Sequence, residues 1–143
     1  MDNQLNENKP LIKRLFEEEI NQKKLETLES MVTPDYISHN DSVSPLSNVQ
    51  QGTKFLTSVF AAFPDTQVTI EDIIAEADKV VVRNTWRGTF QGSWMGIAPT
   101  GKTVTWTGIV MWRIKNGKIA ERWANTNFPE VMQQIAKQTA EPK

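Results

Sequence analysis

QVTIEDIIAEADKVVVRNTWRGTF, residues 67–90, alternates in a way that the chain before Asp65 does not. Val80, Val82, Asn84 and Trp86 share one parity, and Val81, Arg83, Thr85 and Arg87 share the other. A period of two is that of a β-strand. Ala77-Asp78 interrupts it, so residues 67–77 and 79–90 read as two strands of a hairpin. Downstream, residues 103–114 form another long strand. Lys115-Asn116-Gly117-Lys118 is a turn, because Asn-Gly accepts the positive φ values of a tight hairpin, and residues 119–125 return. Residues 91–102 are a glycine- and proline-rich connection, and a last helix runs from Pro129 to about Gln138.

Upstream the period is helical. Leu11, Ile12, Leu15, Phe16 and Ile20 form an apolar stripe after Pro10, which suits a first helical turn, and residues 1–8 are polar and expected to fray. A second short helix is expected over residues 23–32, ended by Thr33-Pro34-Asp35. Residues 35–41, DYISHND, read as a short extended piece and residues 42–48 as loop. Phe55, Leu56, Val59, Phe60 and Phe63 mark a helix over residues 49–63 that Pro64-Asp65 stops. Helices first and meandering strands after make one α+β domain over residues 1–143. The N-terminal helices must cover one face of the sheet. A twisted antiparallel sheet covered in this way curves into a cone-shaped barrel with a pocket at its open end.

Composition narrows the chemistry. The chain has no cysteine and one histidine, His39, with no metal-ligand spacing, so neither a disulfide nor a metal centre is expected. The net charge of −1, with scattered basic residues, lacks the basic stripe of a nucleic-acid binder. No apolar run reaches the roughly 20 residues of a membrane span. The polar start MDNQLNENKP is not the pattern of a signal peptide, so the cytoplasm is the expected compartment.

All five tryptophans lie in the second half: Trp86, Trp94, Trp106, Trp112 and Trp123. They form either a tryptophan-rich core or the lining of a cavity for a flat, partly polar ligand. Without a bulge, the Asn116-Gly117 hairpin sets Val110 opposite Trp123 and Trp106 opposite Asn127. One face then carries Val104, Trp106, Val110, Trp112, Trp123 and Asn127. A bulge would break this assignment beyond itself. The other face, with Thr103, Thr105, Thr107, Ile109 and Met111, is flat and mildly apolar, which suggests a homodimer. Asp72 is in phase with Val68 and Ile70. A regular strand would aim it inward as a carboxylate of raised pKa, whereas a bulge near Ile73 would turn it outward. Trp94 and Met95 sit on the glycine-rich connection, where they could lid the pocket or pack across a dimer.

Three runs in order then carry a resemblance: AAFPD at 61–65, RGTFQGSWMGIAPTGK at 87–102 and WRIKNGKIAERW at 112–123. Together they resemble the SnoaL-like polyketide cyclases (ester cyclases) of the nuclear transport factor 2-like superfamily, over about residues 10–136. The resemblance implies a cone-shaped α+β barrel, a homodimer, and a pocket for a small hydrophobic or polyketide-like ligand. It also implies intramolecular aldol closure without metal or organic cofactor. The family's aspartate, four residues after the tryptophan that ends the last strand, corresponds to Asn127, four after Trp123. An amide cannot take a proton from carbon, though it can donate to an oxyanion or cap the helix that follows. DYISH at 35–39 matches the family's histidine position, making His39 the expected proton carrier. The candidate catalytic residues are therefore His39, Asn127 and Asp72. The candidate ligand contacts are Phe63, Trp86, Trp94, Met95, Trp106, Val110 and Trp123. Two functions stay open: a cofactor-independent cyclase, isomerase or hydrolase acting on a small carbonyl compound, and a non-catalytic binding protein.

Overall fold

The computed structural model describes residues 2–39, 46–127 and 129–140. Its sheet grows from the period-two stretches. β3 (Gln67–Glu76), β4 (Lys79–Thr89), β5 (Thr103–Lys115) and β6 (Lys118–Thr126) form an antiparallel meander. β1 (Val32–His39) joins β6, and the short β2 (Leu46–Ser47) joins β1, giving the order β2-β1-β6-β5-β4-β3 in a curved, unclosed sheet. The β5–β6 turn has positive φ at Asn116 (52°) and Gly117 (76°), as the Asn-Gly pair requires. The helical elements are α1 (Asp2–Arg14), a π-helical continuation (Leu15–Asn21), a 3₁₀ turn (Leu25–Met31), α2 (Val49–Ala62) and α3 (Pro129–Ala140).

Four expectations change. The first helix starts at Asp2, so Pro10 lies inside it and not in its first turn, and Asn8 is buried. The helix expected over residues 23–32 is a 3₁₀ turn. Of the extended piece expected at 35–41, residues 35–39 belong to β1, a full strand running parallel to β6. Residues 40 and 41 of that expectation lie outside the described residues. A parallel partner this distant in sequence leaves no local signal, because pairing is settled by the crossover and not by a turn. Within the loop expected over residues 42–48, β2 occupies Leu46–Ser47; residues 42–45 also lie outside the described residues.

The apolar stripes do what their spacing requires. Ile12, Phe16 and Ile20 pack on Val80, Val82, Val110, Trp112 and Ile114, with Phe16 edge-on to Trp112 at 5.6 Å. Val59, Ala62 and Phe63 pack with Phe90, Val104 and Trp106, joined by Val131 and Ile135 of α3. Both clusters lie on the concave face. α1 contacts β3 and β4, and α2 contacts β1, so the helices flank the central strands. Asn48 caps α2: its side chain accepts from the Gln51 backbone N–H, and the Gln51 side chain accepts from the Asn48 backbone N–H.

Two irregularities set the facing. The register of β3 with β4 slips between Ile70 and Asp72, so Ile73 lies opposite Val82 and Asp72 opposite Arg83. The register of β5 with β6 slips where Ile114 pairs with Ile119 but Arg113 with Glu121. Ile119 and Ala120 are both buried there, a consecutive apolar pair that a regular strand would send to opposite faces. The expected pairs are corrected accordingly: Val110 lies opposite Ala124, Trp123 opposite Met111, and Asn127 bonds to Thr107 instead of facing Trp106.

Candidate functional site on the concave face

The candidates divide between the two faces of the sheet. Phe63, Trp86, Trp94, Trp106 and Val110 belong to the concave side. Trp86 and Trp106 are cross-strand partners whose rings stack at 5.7 Å and 15°. Phe63, fully buried, lies 5.4 Å from Trp106 and 6.1 Å from Trp94. Trp86 is only partly buried, as are Tyr36, Leu56, Phe60 and Ile70, which pack against the same core cluster.

His39, Trp123, Asp72 and Asn127 follow the outer parity. His39 is the parallel-strand partner of Trp123 and stacks on it at 5.3 Å and 8°. Its Nε2 lies 2.6 Å from Glu121 Oε2, and Arg113 Nε donates to Glu121 Oε1 at 3.1 Å. An ionised carboxylate only accepts, so the His39 proton is on Nε2. That hydrogen bond, helped by Arg113, holds Glu121 below the ordinary glutamate range. Asp72 pairs in the open with Arg83 at 2.8 Å, the outward alternative that the strand bulge allowed. Asn127 is a junction: its Oδ1 accepts from Thr107 N at 2.6 Å and its Nδ2 donates to Glu130 at 2.9 Å. Met95 projects from a tight turn between Trp94 and Ile97, with φ of 50°, and is 77% exposed. Trp106 and Trp123 therefore do not border one space, and His39 does not approach Asn127 through any described bond.

Strand parity brings a different polar set to the concave face: Asn84, Thr126, Arg122, Ser38 and Tyr36. Asn84 on β4, Gly108 on β5 and Thr126 on β6 form one row. The row is close-packed: a Cβ on Gly108 would stand 3.1 Å from Thr126 Cγ2 and 3.3 Å from Asn84 Oδ1. Asn84 is 1% exposed, and its Oδ1 accepts from the Trp86 indole N–H at 3.0 Å. That bond fixes the amide orientation and leaves Nδ2 as a donor that no described residue uses. Further along, Trp112, Arg122 and Ser38 form a second row, and Arg122 Nη1 donates to Ser38 Oγ at 2.8 Å. Burial pushes the Tyr36 phenol up, opposed by Arg122 and by a hydrogen bond with Ser38. Of this set, the alternation of β4 already put Asn84 beside Trp86. Arg122, Ser38 and Thr126 depend on the β6 bulge and the parallel pairing. Two surface clefts lie elsewhere: one of about 430 Å³ between Lys13, Phe16, Asn21, Val68 and Ile70, and one of about 270 Å³ beside Asn8, Leu11 and Gly117.

Known proteins agree with this architecture. The family model for SnoaL-like polyketide cyclase matches residues 11–135. AclR of Streptomyces galilaeus, described as a candidate hydroxylase, is similar at 28% identity and TM-score 0.85, over 93% of this chain and 98% of its own. IdmH of Streptomyces antibioticus, described as a candidate polyketide cyclase, is similar at 29% identity and TM-score 0.77, over 90% and 97%. A SnoaL-like candidate cyclase of Jannaschia sp. CCS1 is similar at 25% identity and TM-score 0.82, over 96% and 94%. No curated protein matches the chain.

Proposed function

From a chain that belongs to the SnoaL-like polyketide cyclase family, we propose that the concave face binds a small hydrophobic carbonyl compound. A flat ring lies against the Trp86–Trp106 stack, and its carbonyl oxygen accepts from Asn84. The carrying observation is the Asn84 amide, buried and oriented by the Trp86 indole, with its N–H₂ group unclaimed by the described residues. A preorganised donor in a water-poor place stabilises an enolate more than it stabilises a ketone, which is the requirement of aldol closure. The described polar side chains identified on this face are donors or neutral groups, and none is a carboxylate or imidazole. This favours binding and oxyanion stabilisation over deprotonation of carbon, so the non-catalytic reading stands beside the cyclase reading. No metal or organic cofactor has a part in either. The second partner is another copy of the chain, held through the outer face.

Tryptophan fluorescence titration with 2-acetylnaphthalene tests the reading. Quenching is expected, with Trp86→Ala and Asn84→Leu each weakening binding about tenfold or more. Loss of binding in Trp123→Ala with no change in Trp86→Ala would move the site to the outer face, and absence of any binding would overturn the reading. On any substrate that turns over, His39→Gln should leave the rate unchanged, because His39 lies on the other side of the sheet. Abolished turnover would restore His39 as the proton carrier.

A further inference from the structure

We infer that the ligand of the concave face is a flat aromatic keto acid, whose carboxylate, at the end opposite the carbonyl that Asn84 receives, rests on the ammonium of Lys23. This rests on the proposed concave-face site and adds the substrate class. The spacing is set along β4, where Asn84, Trp86 and Gly88 share the concave parity. β3 brings Thr66 to the Gly88 end. Gln67 pairs with Arg87 and Val68 with Trp86, and a Cβ on Gly88 would stand 3.3 Å from Thr66 Oγ1. Lys23 Nζ donates to the Thr66 carbonyl at 2.9 Å. Asn84 and Lys23 therefore stand to either side of Trp86. From Asn84 to Gly88 the strand rises about 13 Å at about 3.3 Å per residue, room for a two-ring molecule with a polar group at each end.

The ammonium is held in place. Lys23 occupies the left-handed position that closes the π-helical segment, with φ of 60° and the Lys24 N–H reaching back to the Glu18 carbonyl. Glycine takes that conformation without strain, whereas a lysine there is uncommon. Two residues earlier, Asn21 bonds the N–H and C=O of Val68, which fixes the segment along the start of β3. Lys23 Nζ lies 5.3 Å from the centre of the Phe60 ring. Phe60 and Trp86 are the partly buried rings that pack against both core clusters, so the ammonium stands at the junction where Trp86 is open. Burial pulls the Lys23 ammonium below the ordinary lysine range, and Asp65 opposes this. Asp65 is itself engaged by the Thr89 N–H and hydroxyl, at 2.7 and 2.6 Å, and among the described residues no carboxylate forms an ion pair with Lys23. Of the three ammonium donors, Thr66 takes one and the ring supplies no oxygen. A ligand carboxylate would complete the set and offset the cost of burial.

The test is calorimetric titration with 6-acetyl-2-naphthoate and its neutral counterpart 6-acetyl-2-naphthamide. Wild type should bind the acid at least about fivefold more tightly than the amide. Lys23→Gly, which suits the backbone, and Lys23→Gln should each abolish that preference with little change in amide affinity, which also reports that the variants are folded. Lys23→Arg should keep part of the preference. Lys13→Gln, at the exposed lysine of the neighbouring cleft, should leave it unchanged. In wild type the preference should shrink as salt rises from about 0.01 M to about 1 M. Equal binding of acid and amide to wild type, a preference indifferent to salt, one that survives both Lys23→Gly and Lys23→Gln, or one removed by Lys13→Gln would overturn the inference while leaving the concave site intact. If neither of these compounds nor 2-acetylnaphthalene binds wild type, the site itself fails, and the inference with it.

Discussion

Glu19 is a carboxylate with no exposed surface, inside the π-helical segment. Thr27 donates to its Oε1, and Oε2 has no partner among the described residues. Burial pushes its pKa above the ordinary 4.5, with Thr27 opposing. A group that binds its proton more tightly when folded costs no stability below its unfolded pKa. It costs progressively more as the pH rises through the folded value. Wild type should therefore lose stability upward from about pH 4.5, and Glu19→Gln should not. Urea midpoints of the two should converge near pH 4, with the glutamine variant higher at pH 7. Asn127 is a second residue whose type matters. Aspartate could still accept from Thr107, but it could not donate to Glu130 and would set two carboxylates together. Asn127→Asp should cost about 1 kcal/mol in chemical denaturation, and Glu130→Gln in that background should recover much of it.

At the scale of elements, amide side chains finish what the strands leave open. β6 ends opposite Gly108, so the first half of β5 lacks a neighbour on that side. Gln134 of α3 bonds both the N–H and the C=O of Thr105, Gln138 bonds the C=O of Thr103, and Asn127 bonds the N–H of Thr107. At the opposite edge of the sheet, Asn21 bonds both backbone groups of Val68. Each amide offers a donor and an acceptor at peptide spacing, and so imitates one residue of an absent strand. Gln134→Ala should cost about 1–2 kcal/mol and increase aggregation on heating, read by turbidity. The loop after β4 is fastened differently. Gln91 and Gly92 donate to the Ala62 carbonyl that ends α2, and a Cβ on Gly92 would stand 2.1 Å from the Ala61 oxygen. Gly92→Ala should destabilise by at least about 2 kcal/mol, with a lowered Tm.

The whole molecule has one sheet face that helices cover and one that they do not. Across the uncovered face Ile74, Val81, Met111, Trp123 and His39 lie in one row over five strands, with Ile109 in the next. Ile74 is 63% exposed and Ile109 53%. The pairs Asp72–Arg83 and Glu121–Arg113 flank the row, so the surface carries both signs and can meet a copy of itself. Light scattering at micromolar concentration should give twice the chain mass for wild type and the single-chain mass for Ile109→Lys with Met111→Lys. A monomeric wild type would remove the dimer.

Local periodicity determined much of this protein. The period-two runs specified β3 to β6, the Asn-Gly pair specified the hairpin, and the apolar stripes specified which sides of α1 and α2 are buried. These signals are readable because each is enforced by groups only a few residues apart. The faces of β6 and β3 were not readable. One extra residue in a strand inverts every side chain beyond it, so Trp123 and Asp72 turned outward while Arg122 and Thr126 turned in. The parallel pairing of β1 with β6 was not readable either, since no turn records it. It placed His39 on Trp123 and Ser38 on Arg122. The residue types of the site were in the sequence. Which of them share a face was decided by the register shifts of β3 and β6 and by the long-range β1–β6 pairing with a shift of its own, all of which exist only once the sheet is assembled.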